Sequence, residues 1–139
     1  MRASATRELL APVEDVWAFI AEPHHLPDWW PGLRGVEPDR RGLAPGARWE
    51  LRYGERPTWF RRQPRPTLLL VRDVQAPVAA VWHLTASLLD VDLRLEAIRE
   101  GRTRATLTIT GPVVLGTRRE LPRTALSRLH ALCQTAATL

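Results

Sequence analysis

Apolar residues recur along this chain with two different periods, and the change from one to the other marks its architecture. Val13, Val16, Trp17 and Ile20 repeat at helical spacing just after Pro12, with Glu14 and Asp15 where a helix dipole favours acids. The pattern predicts a first strand over 6–10, a helix from Pro12 to Pro23, and a second short helix bracketed by Pro27 and Pro31. Pro31-Gly32 then turns the chain. From Leu33 the period is two. Strands are predicted over 33–39, 47–53, 67–75, 78–85, 91–99 and 103–110, and the clearest has Ala47, Trp49, Leu51 and Tyr53 alternating with Arg48, Glu50 and Arg52.

Val91, Leu93, Leu95 and Ala97 share one face of their strand, and Ala105, Leu107 and Ile109 one face of the next, with charged residues and threonines on the other. An antiparallel meander with one apolar face needs a cover. The cover is the C-terminal segment, where Ala125, Leu126, Leu129, Leu132, Cys133 and Ala136 form one helical stripe. Thr117-Arg118-Arg119-Glu120 fits a capping box. Pro122 then leaves two alternatives: a helix that starts near Leu121 with the proline in its first turn, or a short turn followed by a kink. Residues 54–66, with three prolines and four arginines around Trp59 and Phe60, read as a hairpin tip or flap folding back over a pocket mouth.

The order of these motifs resembles a known family. The run from Ala11 through Pro12, Val16 and Trp17 to Trp29-Trp30-Pro31-Gly32 carries the resemblance. So do Pro45-Gly46-Ala47-Arg48-Trp49-Glu50, the Val71-Arg72-Asp73-Val74 stretch leading to Pro77 and Trp82, and Arg102-Thr103-Arg104-Ala105-Thr106-Leu107-Thr108. Together they resemble the START-like, polyketide cyclase/dehydrase (SRPBCC) superfamily over nearly the whole chain. The resemblance implies an α+β helix-grip fold: a curved antiparallel sheet of about seven strands, two short helices after strand 1, and a long C-terminal helix covering an internal cavity. It also implies a ligand class that ranges over lipids, polyketides, isoprenoids and quinones, and in the cyclases an Arg or Tyr that activates a carbonyl. No motif here maps such a residue.

Composition narrows the picture further. At 139 residues the chain fits one domain, 1–139, able to bury a single real core. No apolar run approaches the ~18 residues that cross a bilayer, and residues 1–10 lack a secretory leader's pattern, so a cytoplasmic location is the expectation. Cys133 is a lone cysteine in a helical apolar pattern, which suits a buried helix residue better than a disulfide, a zinc ligand or a nucleophile. All twenty basic residues are arginine, and residues 34–66 hold nine of them against four acids, whereas residues 1–33 carry a net −3. An Arg-rich central face with Trp59-Phe60-Arg61-Arg62 has the ingredients of single-strand binding. The simpler reading, which we favour, is a solvated strand face.

The candidate ligand wall is Trp30, Trp49, Tyr53, Trp59, Trp82, Leu84, Leu93 and Leu129, because large aromatics and branched side chains on inward positions line apolar sites. Alternation turns Arg48 and His83 outward if Trp49, Trp82 and Leu84 point in. Tyr53 is left as the one weak catalytic candidate. Asp28, His24 and His25 lie on the connection between the short helices, and His130 sits beside the helical stripe. No metal-ligand spacing, phosphate loop, dinucleotide fingerprint or nucleophile elbow occurs, so no cofactor is expected. The function expected is binding of a hydrophobic small molecule, as a monomer or homodimer. The alternatives are a polyketide cyclase or dehydratase, and an Arg-rich module contacting RNA, ribosome or an acidic partner.

Overall fold

The computed structural model describes residues 1–54, 67–112 and 119–138. Seven strands form one antiparallel sheet: β1 (Arg2–Leu9), β2 (Leu33–Pro38), β3 (Arg48–Tyr53), β4 (Thr67–Gln75), β5 (Ala79–Leu84), β6 (Leu89–Arg99) and β7 (Arg102–Thr110). Their order is β1-β7-β6-β5-β4-β3-β2, a meander whose first strand closes beside the last. Helix α1 (Val13–Ala21), a 3-10 turn (Pro23–His25) and α2 (Leu26–Trp29) follow β1, and α3 (Leu121–Thr138) closes the described chain. This is the α+β helix-grip arrangement expected from the sequence.

The pleat decides which side chains are buried. Across β6 and β7, Val91 faces Ile109, Leu93 faces Leu107 and Leu95 faces Ala105, and all six are buried. The intervening pairs, Asp92 with Thr108, Arg94 with Thr106 and Glu96 with Arg104, occupy the wet face. Burying each such leucine or isoleucine contributes about 1.5–3 kcal/mol. Helix α3 lies over β1 and β7 and touches α2, burying Ala125, Leu126 and Leu129. The rest of the predicted stripe is less covered: Leu132 and Cys133 are half-buried and Ala136 is exposed.

Several boundaries differ from the sequence pattern for identifiable reasons. Strand β1 starts at Arg2 because its small and polar residues pair with β7 from Arg2↔Thr110 to Leu9↔Thr103. The second helix begins at Leu26, with Pro27 inside its first turn, where a missing N–H costs nothing. Trp30 N–H donates to Leu26 O at 2.8 Å and ends it. Helix α3 starts at Leu121 with Pro122 in its first turn, the first of the two alternatives. Thr117 and Arg118 of the capping box, and Trp59 with most of the 54–66 flap, lie outside the described residues.

The link from β1 to α1 is tied down by a buried polar group. Thr103 on β7 is fully buried, and its Oγ1 donates to Ala11 O at 2.7 Å. At the nearby β6–β7 turn, Gly101 adopts φ +70, a conformation that glycine takes without strain.

Candidate functional site

Six of the chain's nine aromatic residues are tryptophan, and those among the described residues mostly fill space. Trp29 meets Trp30 at 5.7 Å and 87° and Trp82 at 6.4 Å and 84°, and Trp30 meets Trp82 at 6.1 Å and 66°. Edge-to-face contacts of this kind add to area burial. Ile20, Leu26, Trp29, Leu43, Trp49, Leu69, Trp82 and Leu93 surround a cleft of only about 10 Å³. That is the size of a single water, so the aromatic interior expected as an internal cavity is closed by its own side chains.

Open space lies next to it. A recess of about 520 Å³ runs between α1 and α3, floored by Leu10, Ala11 and Pro12 and by the Gly101-Arg102 turn. Its walls are Asp15, Val16 and Phe19 from α1 and Leu129, Leu132, Cys133 and Ala136 from α3. Helix α1 can face both ways because Ile20 turns into the aromatic cleft while Phe19 turns to the recess. Phe19 is set in place by His25, whose ring stacks on it at 4.2 Å and 13°, and whose Nδ1–H donates to Phe19 O at 2.8 Å. Asp15 and Arg102 are the charged groups of the recess. Arg102 is drawn away by Glu8, 3.7 Å from its Nε.

The expected wall residues divide between these spaces. Trp49, Trp82 and Leu93 surround the closed cleft, and Leu129 lines the open recess. Trp30 and Leu84 are buried core residues. Tyr53 departs from the alternation argument: it is 42% exposed. It lies at the end of β3, paired with Leu33 of β2 beside the register shift between Leu33 and Gly35. Arg48 is exposed, and His83 lies on the outer face with its Nδ1 2.9 Å from Asp90 Oδ1. Asp28 and His24 are exposed.

Val16, Phe19, Leu132, Cys133 and Ala136 were not in the expected wall. The signal was available: Val16 and Phe19 are three apart on α1, and the outer half of the α3 stripe exceeds what the sheet can cover.

Chemically the recess offers burial. Desolvation pushes the Cys133 thiol pKa up, so it is a neutral thiol at pH 7, the opposite of an activated nucleophile. Burial, helped by the charge of Arg7, pushes the His130 pKa down. Among the described residues no three His, Cys, Asp or Glu side chains converge to hold a metal, and no helix is long and apolar enough to cross a membrane.

Comparison with solved structures finds the same fold at low identity. A protein from Nitrosospira multiformis superposes with a TM-score of 0.74 at 16% identity, covering 100% of both chains. XoxI from Bacillus cereus gives 0.70 at 13%, covering 98% of this chain and 97% of its own. The Aha1 dimer from Colwellia psychrerythraea gives 0.66 at 13%, covering 97% and 95%. No curated protein matches the chain. The family model for polyketide cyclase / dehydrase and lipid transport, in contrast, matches residues 1–129, all seven strands and the first half of the covering helix, and the chain belongs to that family.

Proposed function

We propose that this protein binds an apolar small molecule, of lipid, polyketide, isoprenoid or quinone type, in the recess between α1 and α3. The observation that carries this reading is the recess itself: about 520 Å³ of open space with mostly apolar walls. Small-molecule sites typically occupy about 300–1,000 Å³ and place a few polar groups among apolar walls. Membership of a family described by both cyclase chemistry and lipid transport supports the same class of ligand. Covering about 200 Å² of apolar ligand surface contributes about 5 kcal/mol before the cost of association is subtracted.

Ala136 provides the test, because it lines the recess from an exposed position where a larger side chain disturbs no core contact. Wild-type protein is expected to bind the neutral fluorophore 1-N-phenylnaphthylamine, with enhanced, blue-shifted emission. Ala136→Trp is expected to weaken that binding at least about tenfold, or ~1.4 kcal/mol, while leaving thermal stability nearly unchanged. Equal affinity in the two proteins, or no binding by wild type, would remove the recess as the site.

A further inference from the structure

The two edges of the sheet are built differently. At one end of the strand order, β2 carries a register shift between Leu33 and Gly35, ends in Pro38, and has the 3-10 turn and α2 packed against it. Bulges, prolines and covering elements are the usual devices that stop a sheet edge from taking another strand. At the other end, β1 has neither bulge nor proline and pairs with β7 in unbroken register from Arg2 to Leu9. Helix α3 packs on β1, yet a groove of about 220 Å³ lies open beside Ser4, Ala5, Thr6 and Arg7. Its other wall is Arg119 with Arg123 and Leu126 of α3.

The open edge presents a strand's own hydrogen-bonding groups. Met1 and Gly111 exchange both backbone bonds, Met1 N donating to Gly111 O at 2.6 Å and Gly111 N to Met1 O at 2.9 Å. Such pairs recur at every second residue of an antiparallel ladder, so Ala3, Ala5 and Arg7 bond to β7. The N–H and C=O groups of Ser4 and Thr6 then point away from β7, to the groove. Donors and acceptors alternating in that row suit another extended backbone, whereas a compact anion would meet the carbonyls as well as the N–H groups.

Charge indicates what that backbone carries. The charged lining of the groove is Arg7, Arg119 and Arg123, without an acid. Among the described residues Arg7 and Arg119 meet no carboxylate; Arg7 Nη1 donates to Ser127 Oγ at 3.0 Å, and Arg123 has the exposed Glu120 at 3.6 Å. These guanidiniums stand on the α3 side of the strand, while Ser4 and Thr6 turn their hydroxyls to Thr108 and Thr106 on the wet face. An added strand therefore calls for carboxylates at every second residue, facing α3, where guanidinium forks match them. A second copy of β1 would instead set three more arginines against the first three, which like-charge repulsion opposes.

We propose that β1 is a docking edge for an extended acidic segment of a partner protein. The segment adds to the sheet beside Ser4 and Thr6, with its carboxylates on Arg7, Arg119 and Arg123. The edge is separate from the recess between α1 and α3, and the proposal does not depend on that reading.

The probe is the peptide acetyl-Thr-Glu-Thr-Glu-Thr-Glu-Thr-amide. One control has glutamine for each glutamate, and another is N-methylated at its threonines, the residues that would bond Ser4 and Thr6. In ¹⁵N-labelled protein at low salt, the glutamate peptide is expected to slow amide hydrogen exchange at Ser4 and Thr6 at least about tenfold. It is expected to bind about tenfold more tightly than the glutamine peptide, the scale of three exposed ion pairs together. Arg119→Ala with Arg123→Ala, both at exposed positions, removes most of that preference and leaves the glutamine peptide's affinity unchanged. Equal binding of the N-methylated peptide would make the groove a mere anion patch and overturn the proposal. Unaltered exchange at Ser4 and Thr6 under saturating peptide overturns it too, as does a glutamate preference that is absent or survives the double variant. So does a lack of binding at about 1 mM peptide, including the case in which dimerisation through β1 shuts the peptide out. If the double variant does not fold, wild-type exchange and the N-methylated peptide decide.

Discussion

Trp82→Ala is expected to cost about 3–5 kcal/mol of folding stability, a loss set by the size of the indole it removes. Trp82 is buried on β5, opposite Val91 on β6 and Val71 on β4, and meets the rings of both Trp29 and Trp30. Removing it leaves a hole in the middle of the aromatic cluster, and the sheet on one side with α2 on the other cannot collapse to fill it. Because whole domains are stable by only about 5–15 kcal/mol, such a loss takes away a large share of the total. Urea unfolding followed by circular dichroism checks it, with a lower midpoint and an unchanged slope expected. A loss under about 1 kcal/mol would mean that the cluster is loosely packed and that Trp82 lines space instead of filling it.

Leu129→Ala is expected to cost about 2–5 kcal/mol, and its effect has two parts. Leu129 is fully buried where the covered half of α3 ends and the recess begins. Truncation loosens α3 on the sheet, which lowers stability, and it also enlarges the recess. Urea unfolding measures the first part. For the second, the folded variant at low denaturant is expected to retain affinity for 1-N-phenylnaphthylamine, in contrast to Ala136→Trp. A variant that is destabilised and has also lost the probe would place Leu129 in direct, tight contact with the ligand.

Much of this fold could be read from periodicity. Alternation from Val91 to Leu95 on β6 and from Ala105 to Ile109 on β7 picks out the buried residues, although Ala97, expected on the same face, is exposed, and Pro12 with Glu14 and Asp15 marks the start of α1 within one residue. What periodicity could not supply was the extent of β1, whose Arg2, Ala3 and Ser4 have little strand character of their own. They are strand because β7 offers them a ladder. Tyr53 shows the converse: alternation points it inward, yet it is exposed at the end of β3, where the pairing with β2 shifts register between Leu33 and Gly35.

The site was less legible than the fold. Aromatic residues at inward positions predict either a wall or a filling, and the choice depends on how three tryptophan rings pack against one another, which one-dimensional spacing does not encode. The recess was harder still to foresee. It arises where α3 runs on past the residues it buries, while α1 keeps to the other side of the gap. Its contributors are separated in sequence by more than a hundred residues, and Cys133, read from sequence as a buried helix residue, is half-buried and becomes one of its walls.

That cysteine is also the most direct reporter on the central claim. It is the chain's one thiol, it lines the recess, and burial raises its pKa. Its thiolate fraction at pH 8 is therefore below that of a free cysteine, and alkylation speeds up as the pH rises toward the elevated value. The decisive measurement is the rate of Cys133 alkylation by iodoacetamide at pH 8, followed by intact mass, with and without saturating 1-N-phenylnaphthylamine. A ligand seated between α1 and α3 covers the thiol, and the rate is expected to fall several-fold. An unchanged rate while the fluorophore is demonstrably bound would put the molecule elsewhere and contradict the account.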